Sequence, residues 1–204
     1  MHELPLLIFT LFLQGSVGVT LWLAFDSANS SPRSVMFAAA GAFVLASLGL
    51  LASALHMGYP LNALNALRHV SSSWLSREII FASLYLAALG LAVLLLFADK
   101  PGWRLLLVAA GIIGLVDVFC MAQIYMHASV VTWQHLNTLV LFMGSVGIVG
   151  SACMAASAKN YRAAVAIVVL LVLVRLLIQP VWLADIYAPD SRVVTFPHTP
   201  LDPK

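Results

Sequence analysis

His56 and Glu78 are the residues whose types and spacing best suit proton chemistry in this chain. His56 closes one apolar run and Glu78 opens the next, so both are expected at the same end of two neighbouring helices. At the edge of an apolar pocket, an imidazole and a carboxyl group can accept the hydroxyl protons of a quinol and pass them to water. The spacing also fits a structural role, in which His56 caps a helix end and Glu78 lies in a first helical turn.

The elements that must position these two residues are strongly apolar. Of the 204 residues, 62% are hydrophobic and 9% are charged, whereas ordinary globular chains are roughly half apolar and about a quarter charged. The mean hydropathy is +1.01. Because a water-soluble core of this size cannot bury so much apolar surface, the composition predicts an all-α integral membrane protein. A formal net charge of +2, spread over the sequence, predicts no nucleic-acid partner.

Six apolar runs are long enough to cross a hydrocarbon core of about 30 Å, which predicts an antiparallel bundle of about six transmembrane helices within residues 1–184. The helices are expected near residues 4–25, 35–56, 78–98, 103–126, 135–157 and 162–184. The longer connection, residues 57–77, can hold a short helix at the membrane interface. Residues 185–204 contain four prolines and predict a proline-rich tail.

The basic residues of the loops indicate how the bundle is oriented. Five lie on one side and four on the other, which favours an orientation with both termini and the connections at residues 57–77 and 128–134 outside the cytoplasm. The first group is Arg33, Lys100, Arg104, Lys159 and Arg162, and the second is Arg68, Arg77, Arg192 and Lys204.

Two charged residues fall near the middle of predicted spans. Asp117 lies in the fourth and Arg175 in the sixth, where each is costly alone. Pairing between them inside the bundle is the expectation, with a proton-path role for Asp117 as the alternative.

Cofactor ligands are not expected in this protein. His56, His127 and His135 fall near one face and can pair around a haem, but His127 and His135 flank a loop, whereas haem ligands usually lie within helices. The two cysteines, Cys120 and Cys153, have no metal-binding spacing and are expected to pack as small residues.

The sequence also resembles a known family. The segment Leu-His-Met-Gly-Tyr-Pro at residues 55–60, continued by small and polar residues as far as Glu78 and Ile79, is similar to the signature of the DmsC family, the membrane anchor subunits of bacterial dimethyl sulfoxide reductases. The opening residues 2–10 and Tyr125 with Thr132 and Trp133 are similar to other family segments. The family usually has eight helices, and Val131 stands where the family has a proline.

The resemblance implies that menaquinol binds to this protein, with neither haem nor metal, and that the electrons pass to an iron–sulfur subunit beside a molybdopterin catalytic subunit. It implies that the residues matching the family's histidine and glutamate, His56 and Glu78, bind and oxidise the quinol. Tyr59, Arg77 and Tyr125 are further candidates for lining the pocket. The protein itself is then the anchor and quinol-oxidising subunit of a respiratory oxidoreductase, a multi-pass protein of the bacterial inner membrane.

Two alternatives remain at this point. A small transporter or assembly factor without redox activity requires a pathway with broken helices, for which the Gln179–Pro180 pair is a hint. A degenerate anchor docks a reductase but no longer oxidises quinol.

Overall fold

Six long helices make up nearly all of the described structure. The computed structural model describes residues 4–26, 30–56, 68, 70–155 and 161–187, and the side chains of residues 55 and 56 lie outside that description. The helices are α1 (Leu4–Asp26), α2 (Pro32–His56), α3 (Trp74–Phe97), α4 (Trp103–Met126), α5 (Leu136–Ala155) and α6 (Tyr161–Ile186), with a 3-10 turn at Val131–Trp133. All six are long and apolar enough to cross a membrane. The predicted all-α bundle of six spans is confirmed.

The start of α3 differs from the sequence-based expectation. The helix begins at Trp74, four residues before residue 78, because Ser73 provides the N-cap with an extended backbone and a side chain that accepts from the Ser76 N–H at 3.4 Å. Glu78 therefore lies in the second turn, and a helix-end role for its carboxyl group does not apply.

The ends of α2 and α6 also differ slightly from the expectation. Helix α2 begins at Pro32, whose fixed φ suits a first helical position. Helix α6 continues to Ile186, past residue 184, and runs through Pro180 without ending. The Gln179–Pro180 pair therefore does not break the helix.

A tight turn makes α3 and α4 antiparallel neighbours. The Lys100 N–H donates to the Leu95 carbonyl at 2.9 Å, and the backbone then reverses through Asp99 and Gly102, with φ angles of 50° and 100°. Glycine adopts the left-handed conformation without steric cost, and aspartate tolerates it better than most residues.

Helix α1 lies at the centre of the bundle and packs against α2, α4 and α5. It crosses α5 with its backbone in close contact: a Cβ atom on Gly18 would lie 2.2 Å from the Val146 carbonyl oxygen and 2.7 Å from the Gly150 Cα. Small residues at such crossings let transmembrane helices approach closely, as the glycines of α5 predict. Further contacts run from α2 to α3, from α3 to α4, and from α4 to α5.

Helix α6 is the peripheral element. Within its apolar window only 6% of residues are buried, against 56% for α1. It packs on α5, and Ala164 is its one fully buried residue within the described structure. Most of its surface is therefore available to lipid or to another protein.

The expected pairing of Asp117 with Arg175 is wrong. Asp117 lies in the closed interior formed by α1, α3 and α4, and neither of its carboxyl oxygens has a hydrogen-bond partner among the described residues. Arg175 lies on the far side of α5, with its Cδ atom 3.4 Å from where a Cβ atom on Gly144 would be. The two residues share a depth in the sequence pattern, but α5 separates their helices.

Several predicted features lie outside the described residues. They are Tyr59, the expected interfacial helix over most of residues 57–77, and the tail from residue 188 onward.

Candidate functional site

A small pocket lies at one end of the bundle, where α1 begins, α3 begins and α4 ends. Its volume is about 210 Å³. The lining comes from three helices and the connection that follows α4: Leu6, Phe9, Thr10, Leu75, Glu78, Met121, Ile124, Tyr125, Ala128 and Trp133. Nearly all of these side chains are apolar or aromatic, so the pocket suits an apolar ligand that is oriented by a few polar groups.

Glu78 is the acidic residue of the lining. Its side chain is buried, with 7% of the residue exposed, and it lies on the face of α3 that also carries the buried residues Ala82 and Tyr85. Helical periodicity explains this placement because residues spaced by three or four positions share one face. The carboxyl group consequently faces the bundle interior and the pocket rather than lipid.

Tyr125 forms part of the aromatic side of the pocket. Its ring centroid lies 5.2 Å from that of Trp133 in an edge-to-face arrangement and 5.2 Å from that of Phe142. Edge-to-face contacts between rings at this distance are favourable. The structure thus brings Glu78 and Tyr125, two residues singled out in the sequence, to the same pocket.

Arg77 is placed differently from its neighbour. Its Nε donates to the Val70 carbonyl at 2.9 Å and its Nη2 to the Ser71 carbonyl at 2.6 Å, while its Cζ lies 4.3 Å from the centre of the Trp74 ring. It is not among the residues that line the pocket. Arg77 instead fixes the segment before α3 to the first turn of that helix.

His56 is the last residue of α2, and its side chain lies outside the described part of the structure. Helix α2 packs between α1 and α3, and its C-terminal end lies at the same end of the bundle as the pocket. The roles of His56 and Tyr59 stay predictions.

Sequence reasoning missed the α1 side of the pocket and Trp133. Leu6, Phe9 and Thr10 repeat at helical spacing on one face of α1, and the Thr10 hydroxyl donates to the Leu6 carbonyl at 2.8 Å. Both regions belong to segments that resemble the family, and that resemblance is the signal that points to them. Spacing alone does not reveal which helices are lateral neighbours.

A polar cluster fills the interior beyond the pocket. The Tyr85 hydroxyl lies 2.6 Å from Ser16 Oγ and 2.9 Å from Thr20 Oγ1, and Ser16 Oγ donates to the Ala42 carbonyl at 2.7 Å. Because the Ser16 hydrogen is used by Ala42, the Tyr85 hydroxyl donates to Ser16. The hydroxyl hydrogens of Tyr85 and Ser16 are thus both used within the cluster, which ties α1, α2 and α3 together.

Asp117 lies between this cluster and the pocket. It is fully buried and lies close to the backbone of α3 at Ala82. Along α4 it precedes the pocket residues Met121 and Tyr125 by one and two turns. Asp117 is therefore beneath the pocket and not part of its lining.

The two described histidines of the loop after α4 have local partners. His127 Nδ1 lies 2.9 Å from the Gln123 carbonyl, and His135 Nδ1 accepts from the Asn137 N–H at 3.0 Å while its Nε2 lies 4.0 Å from Asp185. Within the described ranges, no three His, Cys, Asp or Glu side chains are grouped to hold a metal ion.

The sequence matches a known protein family and several curated proteins. Residues 1–192 match the family described as DMSO reductase anchor subunit (DmsC). Over 157 residues the sequence is 35% identical to the C subunit of the anaerobic dimethyl sulfoxide reductase of Escherichia coli, a match that covers 70% of this protein and 55% of that subunit.

Two further relatives give a similar result. The corresponding C subunit from Haemophilus influenzae is 31% identical over 153 residues, covering 68% of this protein and 52% of its own length. The YnfH subunit of an anaerobic dimethyl sulfoxide reductase of Escherichia coli is 31% identical over 172 residues, a match that covers 79% of this protein and 59% of that subunit. The protein thus spans about half the length of the curated relatives it matches. No solved structure matches it.

Proposed function

Because this protein belongs to the DMSO reductase anchor subunit (DmsC) family, we propose that it anchors a reductase of this type in the bacterial inner membrane and oxidises menaquinol there. The observation that carries the proposal is the buried Glu78 carboxyl group in an apolar pocket at one end of a membrane-spanning bundle. An apolar electron donor that moves in the lipid can reach such a pocket, and a carboxyl group can take a proton from it.

The size and lining of the pocket support a quinol ring system as the ligand. Pockets for drug-sized molecules have volumes of about 300–1,000 Å³, and the pocket here has about 210 Å³. It suits a flat ring system, whose isoprenoid tail would continue into the lipid. Phe9, Tyr125 and Trp133 offer aromatic surface to such a ring, and Glu78 offers a proton acceptor.

Oxidation of one menaquinol breaks two O–H bonds, releases two protons and transfers two electrons. In our proposal Glu78 accepts a hydroxyl proton, and His56, at the end of α2, hydrogen-bonds the other quinol oxygen and passes protons toward water. Tyr125 positions the ring. General-base groups of this kind contribute about 10²–10⁴-fold to a rate.

The electrons need an acceptor in another subunit in this scheme. We propose an iron–sulfur subunit that docks at the pocket end of the bundle and delivers the electrons to a molybdopterin catalytic subunit. The pocket wall made by Ala128 and Trp133 belongs to the connection between α4 and α5, so a partner at this end can approach the quinol closely.

The proposal is tested by menaquinol oxidation in the complex purified with its partner subunits. Glu78→Gln keeps the size of the side chain and removes its capacity to accept a proton as a carboxylate. We expect this variant to assemble normally and to lose about 100-fold or more of the turnover rate. His56→Ala is expected to lower turnover as well.

A matched control is Asp99→Asn, which makes the same chemical change at the opposite end of the bundle. Asp99 has a positive φ, which asparagine tolerates, so the turn between α3 and α4 should be preserved. Turnover should equal that of the unmodified protein. Full menaquinol oxidation by an assembled Glu78→Gln complex would contradict the proposed role of the pocket.

The transporter alternative has no support from a broken helix, because α6 is continuous through Pro180.

A further inference from the structure

Arg175 is an ionic side chain without an ionic partner in the described structure. It lies in the middle of α6, is half-buried, and makes neither a hydrogen bond nor an ion pair with any described residue. Its aliphatic stem lies against Gly144 of α5. A charged side chain at this depth is costly when it is alone in lipid.

The depth of Arg175 prevents a lipid headgroup from serving as its partner. At a rise of about 1.5 Å per residue, Arg175 lies about 21 Å from the start of α6 and about 17 Å from its end. Arginines near helix ends reach the interface by extending along the membrane normal. Arg175 is instead close to the midpoint of a span that covers the full hydrocarbon thickness.

None of the described acidic residues lies where it could pair with Arg175. Asp26, Asp99 and Asp185 lie at helix ends, and Asp185 is near His135. Glu78 and Asp117 are buried on α3 and α4. A carboxyl group that pairs with Arg175 must therefore come from outside the described residues.

The surface around Arg175 is open and apolar. Val172 and Gln179, about one turn before and after Arg175 on the same face of α6, are exposed, and Leu176 is exposed at the flank of that face. A second copy of this protein is a poor occupant, because a symmetric contact through this face would place two Arg175 side chains near each other.

We propose that the exposed face of α6 around Arg175 docks a transmembrane helix of another protein that carries a carboxyl side chain at mid-membrane depth. The apolar residues pack against the partner helix, and the carboxyl group forms the ion pair that Arg175 lacks within the described structure. The proposal concerns a surface remote from the pocket and holds whether or not the pocket oxidises a quinol.

The test uses the full-length protein in phospholipid vesicles with polyleucine transmembrane peptides as probes. One peptide carries a single central glutamate and the other has only leucine, and association is followed by energy transfer between labels on peptide and protein. Because interhelical polar pairs in lipid are worth about 1–2 kcal/mol, we expect the glutamate peptide to associate about tenfold more tightly.

Three variants isolate the contribution of Arg175. The tenfold preference should vanish in Arg175→Leu and persist in Arg175→Lys, which keeps the charge. Arg104→Leu removes an arginine at the start of α4, where it lies 5.0 Å from the centre of the Trp103 ring, and should leave the preference unchanged. Equal association of both peptides with the unmodified protein, or a preference that survives in Arg175→Leu, would overturn the proposal. Self-association of the protein that Arg175→Leu abolishes would also overturn it, by assigning the face to a second copy.

Discussion

At the scale of single residues, this protein treats its interior polar groups in two ways. Ser16, Thr20 and Tyr85 are buried and hydrogen-bonded to one another, whereas Asp117, on the neighbouring helix α4, is buried with both carboxyl oxygens unpaired among the described residues. An unpaired buried polar group costs free energy, whereas a paired one contributes to stability. These neighbouring sites therefore predict opposite effects of removing polarity.

We expect Asp117→Val to stabilise the purified protein by about 1–3 kcal/mol, because valine has a similar shape and no group that needs a partner. Ser16→Ala is the matched control and should destabilise by a comparable amount, since it leaves the Tyr85 hydroxyl and the Ala42 carbonyl without their shared partner. Thermal unfolding in detergent measures both. A lower midpoint for Asp117→Val would mean that Asp117 has a stabilising partner.

Glu78 and Asp117 differ in how far the sequence predicts their surroundings. Glu78 is identified by its position at the start of an apolar run and by its family resemblance, and both depend on local sequence. The partner of Asp117 depends on which helices are lateral neighbours. Two residues at equal depth in α4 and α6 give no sequence signal that α5 lies between them.

At the scale of helices, the crossing of α1 and α5 depends on the absence of side chains. Gly18 and Gly150 face each other so closely that a Cβ atom on either would contact the backbone of the other helix. Such a crossing cannot be relieved by changing a side-chain rotamer, so the helices would have to move apart.

We expect Gly18→Ala to lower the stability of the bundle by about 1–3 kcal/mol, the usual cost of overpacking. Gly41→Ala is the control, because no atom lies within 4 Å of a Cβ atom on Gly41. This second change should leave the thermal midpoint unchanged or slightly raised, since alanine is the better helix former. Similar losses in both variants would mean that helix propensity, not the crossing, determines the effect.

The helices themselves are largely predictable, because a run of about 20 apolar residues has few other uses. The residue at which each helix begins is less predictable, because an N-cap depends on a single polar residue. Ser73 begins α3 four residues earlier than expected and moves Glu78 from the first turn into the buried second turn. The sequence predicts neither the α1 side of the pocket nor the surroundings of Asp117. In both cases an apolar pattern identifies the buried face of a helix but not the helix that packs against it.

At the scale of the whole molecule, the pocket and the turn between α3 and α4 lie at opposite ends of the bundle. The count of loop arginines and lysines predicts that the pocket end of the bundle lies on the side of the membrane away from the cytoplasm. Labelling of single cysteines in intact cells tests this orientation, in a protein whose own Cys120 and Cys153 are replaced by alanine.

We expect Ser129→Cys, in the exposed connection after α4, to react with a membrane-impermeant maleimide in intact cells. Pro101→Cys, in the exposed turn between α3 and α4, should react only after permeabilisation. The reverse pattern would place the pocket and any docked subunit on the cytoplasmic side. Neither change alters the number of charged residues, so the orientation signal is preserved.

One contact near the C-terminal end of α6 links this helix to the pocket. The Trp182 indole N–H donates to the Thr132 carbonyl at 3.2 Å, and the adjacent Trp133 lines the pocket and contacts Tyr125. The Thr138 hydroxyl at the start of α5 in turn donates to the Trp133 carbonyl at 2.8 Å. A displacement of α6 along its own axis therefore pulls on the pocket wall, so the outermost helix is mechanically connected to the volume that a ligand would occupy.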